Sequence, residues 1–266
     1  MVKIANISTK NDNNAFLFDT YIKHKYEPIL PKKDEWPVVK LSKNRKDFVR
    51  KVADASKTSV LEITAENMDL LREELETTLY REKLRMKQNP WAVDPDDEKE
   101  FWGKVKSSLV QLSADSSLTK TQKKKKYLEI LDDITMRYSE EIASNFVHTH
   151  YKVTRRIVTF GFSRLLNAAR VKGFKSIFSN QFSLQDKIQI VGETDQIREL
   201  ASKGTIVMVP THFSNLDSIL IGWIISVLGL PPFIYGAGLN LFNISIFAYF
   251  MNALGAYKVD RRKKNL

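Results

Sequence analysis

A histidine and an aspartate, His212 and Asp217, are separated by four residues in the stretch Thr211-His212-Phe213-Ser214-Asn215-Leu216-Asp217. An imidazole oriented by a nearby carboxylate is a common way to make a general base at neutral pH. Fully extended, five steps of chain would hold the two groups roughly 16 Å apart, so the chemistry needs a turn between them. The carboxylate could then accept the Nδ1 hydrogen and leave Nε2 free to take a proton from a hydroxyl. Ser214-Asn215-Leu216-Asp217 also reads as a capping box, with Ser214 at the N-cap and Asp217 three residues on. The two roles of Asp217 are compatible, since one oxygen can cap while the other holds the imidazole. Ser214 lacks the Gly-x-Ser-x-Gly elbow of a nucleophile. A second constellation follows downstream, Gly255-Ala256-Tyr257-Lys258-Val259-Asp260-Arg261-Arg262. It reads as a short strand that leaves a glycine and ends in two guanidinium groups, which suit bidentate recognition of phosphate.

A His-x4-Asp pair at the end of a buried-strand pattern, followed some forty residues later by Gly-Ala-x-x-Val-Asp-Arg, resembles the glycerolipid acyltransferase family over about residues 188–266. The resemblance implies an acyl thioester donor, on CoA or on acyl carrier protein. It implies a phosphorylated glycerol acceptor, either glycerol 3-phosphate or 1-acylglycerol 3-phosphate. By it, His212 is the general base on the acceptor hydroxyl and Asp217 its orienter. Arg261, with Gly255 at the strand start, contacts the acceptor phosphate. No metal or organic cofactor is implied. The family carries two further motifs downstream, a Glu-Gly-Thr-type segment and a proline-containing one, which this sequence does not contain. The expectation is therefore an incomplete catalytic domain. The alternative reading is a catalytically incomplete module that binds membranes or a partner. A hydrolase in which His212 activates water is a weaker enzymatic rival, because the nucleophile elbow and metal ligands are missing.

Composition narrows the partners. The net charge of +11 favours anionic ones: phospholipid headgroups, phosphorylated substrates or nucleic acid. Nucleic acid is not expected. Lys123-Lys124-Lys125-Lys126 lacks interleaved aromatics and any recognised binding motif, so it reads as a solvated face or a surface attracted to anionic membrane. His148 and His150 lie two apart, which on a helix turns them to different sides and argues against a metal pair. The absence of cysteine excludes disulfides and thiolate metal sites. Residues 218–257 carry no charge, yet Pro231-Pro232 and several Gly and Asn interrupt them. The apolar run 219–230 is shorter than the ~20 residues needed to span a bilayer. The expected location is peripheral, on the cytoplasmic face of a membrane, with part of this apolar region resting in the interface. Arg262 and the lysines after it read as a basic surface able to face anionic lipid, with Asp260 as a local partner of the arginines.

Two periodicities divide the chain. Apolar residues recur every three to four positions over 43–87, from about 96, over 120–150 and over 152–171, which predicts a helical bundle. Residues 89–95 read as a turn. Downstream, short apolar runs at 188–192, 205–210, 232–237 and 257–260 read as strands, alternating with helices at 194–202, 215–228 and 241–254. That alternation predicts an α/β catalytic domain with a mostly parallel sheet and flanking helices. The expected organisation is an N-terminal helical domain over 1–175 and the N-terminal part of an α/β acyltransferase domain over 176–266.

Overall fold

A computed structural model describes residues 26–166, 188–211 and 215–263. The chain divides into two compact units, each built from two stretches: Met1–Lys40 with Phe146–Ile234, and Leu41–Asn145 with Tyr235–Leu266. The divisions thus fall at 40/41, 145/146 and 234/235. The boundary expected at 175/176 lies outside the described residues.

The second unit is built on helices α2 (Arg45–Ile63), α3 (Met68–Gln88), α4 (Glu98–Ala114) and α5 (Lys120–Ile142), which follow the short α1 (Pro37–Lys43). Their apolar stripes meet in one core: Val60 from α2, Leu71 and Leu75 from α3, Trp102, Val105, Leu109 and Leu112 from α4, and Tyr127, Ile130, Leu131 and Ile134 from α5. The helical region expected over 43–87 is interrupted after Ile63. Ala65 and Glu66 take left-handed φ values of 49° and 53°. Asn67 then caps α3, its Oδ1 accepting from the Asp69 amide at 2.9 Å and the Leu70 amide at 3.4 Å. An Asn cap is a local signal for a new helix, but the apolar spacing runs across it unbroken. Helix α5 begins with a capping box, in which Thr119 and Gln122 each satisfy the other's backbone amide. Between α2 and α5, the Asp132 carboxylate takes both terminal nitrogens of Arg50 at 2.8 Å and the Lys57 ammonium at 2.9 Å. Hydrogen bonding from Arg50 is the main cause that holds Asp132 at about 2, against a smaller opposing effect of burial.

The same unit holds the sheet. Strand β1 (Tyr235–Gly238) pairs in parallel with β2 (Ala256–Val259), Tyr235 opposite Ala256 and Gly238 opposite Val259. The connection runs through a 3-10 turn (Leu239–Asn243) and a helix (Ser245–Ala253), as a parallel pair requires. Ala237, Leu239, Phe242 and Ala256 form its buried centre, with Trp91 and Val93 from the α3–α4 turn packed on them.

The first unit holds α6 (His148–Leu166), α7 (Thr194–Lys203) and α8 (Asn215–Val227); the helix Ser245–Ala253 is α9. Trp223 and Val227 of α8 pack with Phe162 of α6, and Ile225, Leu228 and Leu230 pack with Ile197 of α7, Tyr26 and Ile29. Gly229 takes φ +67°, and a Cβ there would stand 2.6 Å from the Glu27 carbonyl oxygen. That close approach carries the 2.9 Å hydrogen bond from the Ile29 amide to the Gly229 carbonyl.

The expected parallel α/β sheet is therefore present only in part. Among the described residues the fold is mostly helical, with one two-stranded parallel sheet. Residues 188–192 and 205–210 form no ladder. The latter keeps a strand's alternation, Ile206 and Met208 half-buried while Val207 and Val209 are 82% and 87% exposed. Alternation lets one side of such a segment rest on a helical core, but a strand is stable only with a hydrogen-bonded neighbour. The strands that could supply one, β1 and β2, belong to the other unit. No helix among the described residues is long and apolar enough to cross a membrane.

Replacing Trp102, which is 1% exposed at the bundle centre, with alanine should cost about 3–5 kcal/mol. Val110→Ala on the exposed face of the same helix should change stability by less than about 0.5 kcal/mol. Thermal unfolding of the two variants against the parent checks this, and equal losses would contradict the packing described.

Candidate active site

Helix α8, in the first unit, carries one of the candidate residues. Its first turn contains Asp217, which is half-buried. His212 and Ser214 lie outside the described residues. A carboxylate in a first helical turn is favoured by the helix dipole, so Asp217 can be held here whatever else it contacts. The other end of α8 is tied down by cations. Arg155 of α6 donates to the Ser226 hydroxyl, and Arg198 of α7 donates to the Leu228 carbonyl just past the helix. Arg198 also donates to the Glu27 carbonyl at 2.9 Å and stacks 4.6 Å from the Tyr26 ring centroid. A guanidinium at a helix C-terminus satisfies carbonyls that have no partner within the helix. The helix that presents Asp217 is thereby fixed along its length by Trp223, Ile225 and Val227 and at its end by Arg198.

Strand β2, in the second unit, is flanked by the candidate residues Gly255 and Arg261. Gly255 is buried and takes φ +84°, the left-handed conformation that lets α9 stop and β2 begin without strain. Its amide donates back to the Asn252 carbonyl at 3.1 Å. Within β2, Lys258 lies 5.7 Å from the Phe242 ring centroid, and burial pulls its ammonium below the usual lysine range despite Glu141.

After β2 the chain is anchored by charge. The Arg262 guanidinium donates to Asp260 at 2.9 and 2.8 Å, to Asp94 at 2.5 and 3.1 Å and to the Asn89 carbonyl at 2.8 Å. Its plane lies 4.0 Å from the Trp91 ring centroid, close enough for a cation–π contact. Asp94 in turn accepts from Arg85 at 3.1 Å, and Arg85 is held by Glu82 at 2.8 Å and by Glu98. The next residue, Lys263, pairs with Glu141 and lies 4.5 Å from the Tyr138 ring centroid. Arg262 and Lys263 are thus not the basic surface expected of them. Side chains 7% and 16% exposed are sequestered because carboxylates distant in sequence meet them. Asp260 is the local partner of Arg262. Between the anchored Asp260 and Arg262, Arg261 is exposed.

The residues named for catalysis and binding therefore sort by unit. Asp217 belongs to the first, and Gly255 and Arg261 to the second. Asp94 and Trp91, which hold the end of β2, were not identifiable as partners from sequence. The turn at 89–95 was legible, but nothing local in it points 168 residues away.

Burial pushes the Asp94 and Asp260 carboxyls up, but Arg262, backbone amides and neighbouring cations outweigh it, and both end below the usual carboxylate range. Carboxylates with lowered native pKa values stabilise the fold fully above the unfolded value of about 3.9 and lose that stabilisation as pH falls through the native values. Acid unfolding of the parent should therefore steepen below about pH 4. Asp94→Asn should cost about 1–3 kcal/mol near neutral pH, because it removes the charged acceptor that Arg85 and Arg262 share while Glu82, Glu98 and Asp260 remain, and should flatten that acid limb. A thermal-unfolding series against pH reads both effects, and an unchanged acid limb in the variant would refute the assignment.

Comparison with known proteins gives a family for one part of the chain. Residues 188–266 match the family model described as Acyltransferase. Over 138 residues, 52% of this chain, the sequence is 25% identical to the glycerol-3-phosphate acyltransferases of Shewanella sp. (strain ANA-3) and Shewanella oneidensis. It is 24% identical over the same length to that of Shewanella baltica (strain OS155). The matched stretch is 14% of each of these relatives. No solved structure gives a significant match.

Proposed function

Residues 188–266 belong to the Acyltransferase family, and from that premise we propose that the chain is part of an O-acyltransferase of glycerolipid synthesis. Its reaction moves an acyl group from acyl-CoA or acyl carrier protein to a hydroxyl of glycerol 3-phosphate or 1-acylglycerol 3-phosphate. The observation that carries this reading is the family match over the segment holding both His-x4-Asp and the arginine-ended strand. His212 would take the proton from the acceptor hydroxyl as it attacks the thioester carbonyl, while Asp217 stabilises the imidazolium that forms. The tetrahedral intermediate collapses by breaking the carbon–sulfur bond, and His212 returns the proton to the departing thiolate. No acyl-enzyme is needed, so kinetics should be sequential.

Arg261 would bind the acceptor phosphate. Its exposure beside two anchored neighbours supports this, since a guanidinium with no carboxylate partner among the described residues keeps its donors for a ligand. Residence at the cytoplasmic face of a membrane, as a peripheral protein, is supported by Ile244, Ile246, Phe247 and Tyr249. These apolar side chains are exposed at and within α9, in the region that carries no charge. Aromatic and aliphatic groups so placed suit the boundary between headgroups and acyl chains.

Acyl transfer from labelled palmitoyl-CoA to glycerol 3-phosphate, and separately to 1-acylglycerol 3-phosphate, tests the reading. His212→Ala should lower turnover by at least about 100-fold, the usual scale for a general base. Arg261→Ala should raise the Michaelis constant for the acceptor while leaving that for the donor near the parent value. Folded parent protein that transfers nothing to either acceptor would favour the membrane- or partner-binding alternative for this chain. An acyl-enzyme burst would exclude the direct mechanism.

A further inference from the structure

A second cationic site lies in the first unit and shares no residue with those given roles in acyl transfer. Lys152, Arg155 and Arg156 stand at spacings of three and four on α6, so they share a face. The 3-10 turn Lys33–Glu35 brings the Lys33 side chain into contact with that of Lys152. Two ammonium groups in contact repel each other, more so where water is partly excluded. Contact with Lys152, then burial, then the charges of Lys152, Arg155 and Arg156 pull Lys33 down from 10.5 to about 8. Of the carboxylates near in sequence, Glu35 is paired with Lys32 at 3.8 Å, and the largest charge effects on Lys33 come from cations.

Arg155 is held rigidly in this cluster. It donates to Ser226 on α8, and its guanidinium stands 5.9 Å from the ring centroid of Tyr151. That ring is itself buried and meets Trp36 edge-on at 5.7 Å. The Arg155 Nε–H is buried and has no hydrogen-bond partner among the described residues. Buried donors in folded proteins are nearly always satisfied, so one left open on the helix face that carries Lys152, itself in contact with a second ammonium group, calls for an acceptor. The acceptor that answers both needs carries two or more negative oxygens in a small volume, which describes a phosphate group.

We propose that Lys33, Lys152 and Arg155 form an anion site for a phosphate group, with Arg156 adding to its positive potential. The phosphate belongs either to a soluble phosphomonoester or to a phospholipid headgroup. Both present the same oxygens to the same donors. The site does not depend on the acyl-transfer reading, because none of its residues takes part in that chemistry.

Lysine-resolved acetylation measured by mass spectrometry reads the site directly. At about pH 8 the depressed Lys33 should label faster than exposed lysines, since reactivity follows the neutral amine. Inorganic phosphate should slow the labelling of Lys33 in a saturable way, and should do so equally in Arg261→Ala, which separates this site from the proposed acceptor site. Lys152→Gln alters an exposed side chain and should leave the melting temperature unchanged. It should weaken phosphate protection about tenfold, as expected for one charge-assisted contact.

A second arm replaces phosphate with vesicles of phosphatidylcholine doped with phosphatidic acid. Protection by inorganic phosphate supports the site with a soluble ligand, and protection by vesicles alone supports it with a lipid headgroup. Failure of both to protect Lys33, or protection equal in Lys152→Gln and the parent, would overturn the proposal. Loss of acyl transfer with phosphate protection intact would count only against the acyl-transfer reading.

Discussion

The second unit depends on one buried run of charge, Arg262 to Asp94 to Arg85, closed by Asp260, Glu82 and Glu98. Two guanidiniums face four carboxylates there, at side-chain exposures of 11% or less. A charge withdrawn from water is costly unless its full set of donors or acceptors is met. Arg262 meets this condition through Asp260, Asp94, the Asn89 carbonyl and the Trp91 face together. The same constraint makes the packing specific. The α3–α4 turn and the end of β2 can exchange these bonds only in one arrangement, so a chain end distant in sequence is docked where simple apolar burial would leave it free to slide.

The proposed function enters because this docking sits next to Arg261, the residue proposed to bind phosphate. With Asp260 and Arg262 committed inward, the intervening guanidinium is left outward. Gly255 acts at the opposite end of the strand, where its left-handed turn lets α9 reverse into β2. A short two-stranded sheet has little stability of its own. Its strands are held by the packing of Ala237, Ala256 and Phe242 against Trp91 and Val93 and by the ion network. The helices of the second unit are therefore part of what positions the arginine.

In the first unit the comparable element is α8. It is almost wholly apolar, and its faces are divided between two clusters, one with α6 and one with α7 and residues 26–29. Polar ties at Ser226 and Leu228 add direction to what apolar burial alone would leave loosely oriented. Asp217 stands on the first turn of this fixed helix, and Arg155, which ties α6 to it, also belongs to the proposed anion site. One guanidinium thus links the scaffold of the acid to a cationic surface.

Local and periodic features were determined by the sequence itself. Helices α4 to α8 are legible from apolar spacing and the 89–95 turn from its prolines, whereas the candidate catalytic pair was named from residue type and from a strand pattern that forms no ladder. These depend on neighbours within about a turn of chain, which a sequence displays directly. Strand formation is different. Residues 205–210 alternate as a strand should, but a ladder needs a partner that the segment cannot specify, and among the described residues only β1 and β2 pair. The fate of Arg262 and Lys263 is likewise tertiary. Two cations in a row of four read as solvated surface until Asp94 and Glu141, more than a hundred residues away, arrive to neutralise them. Charge pattern is written along the chain, whereas burial of charge depends on which distant groups the fold brings within hydrogen-bond reach.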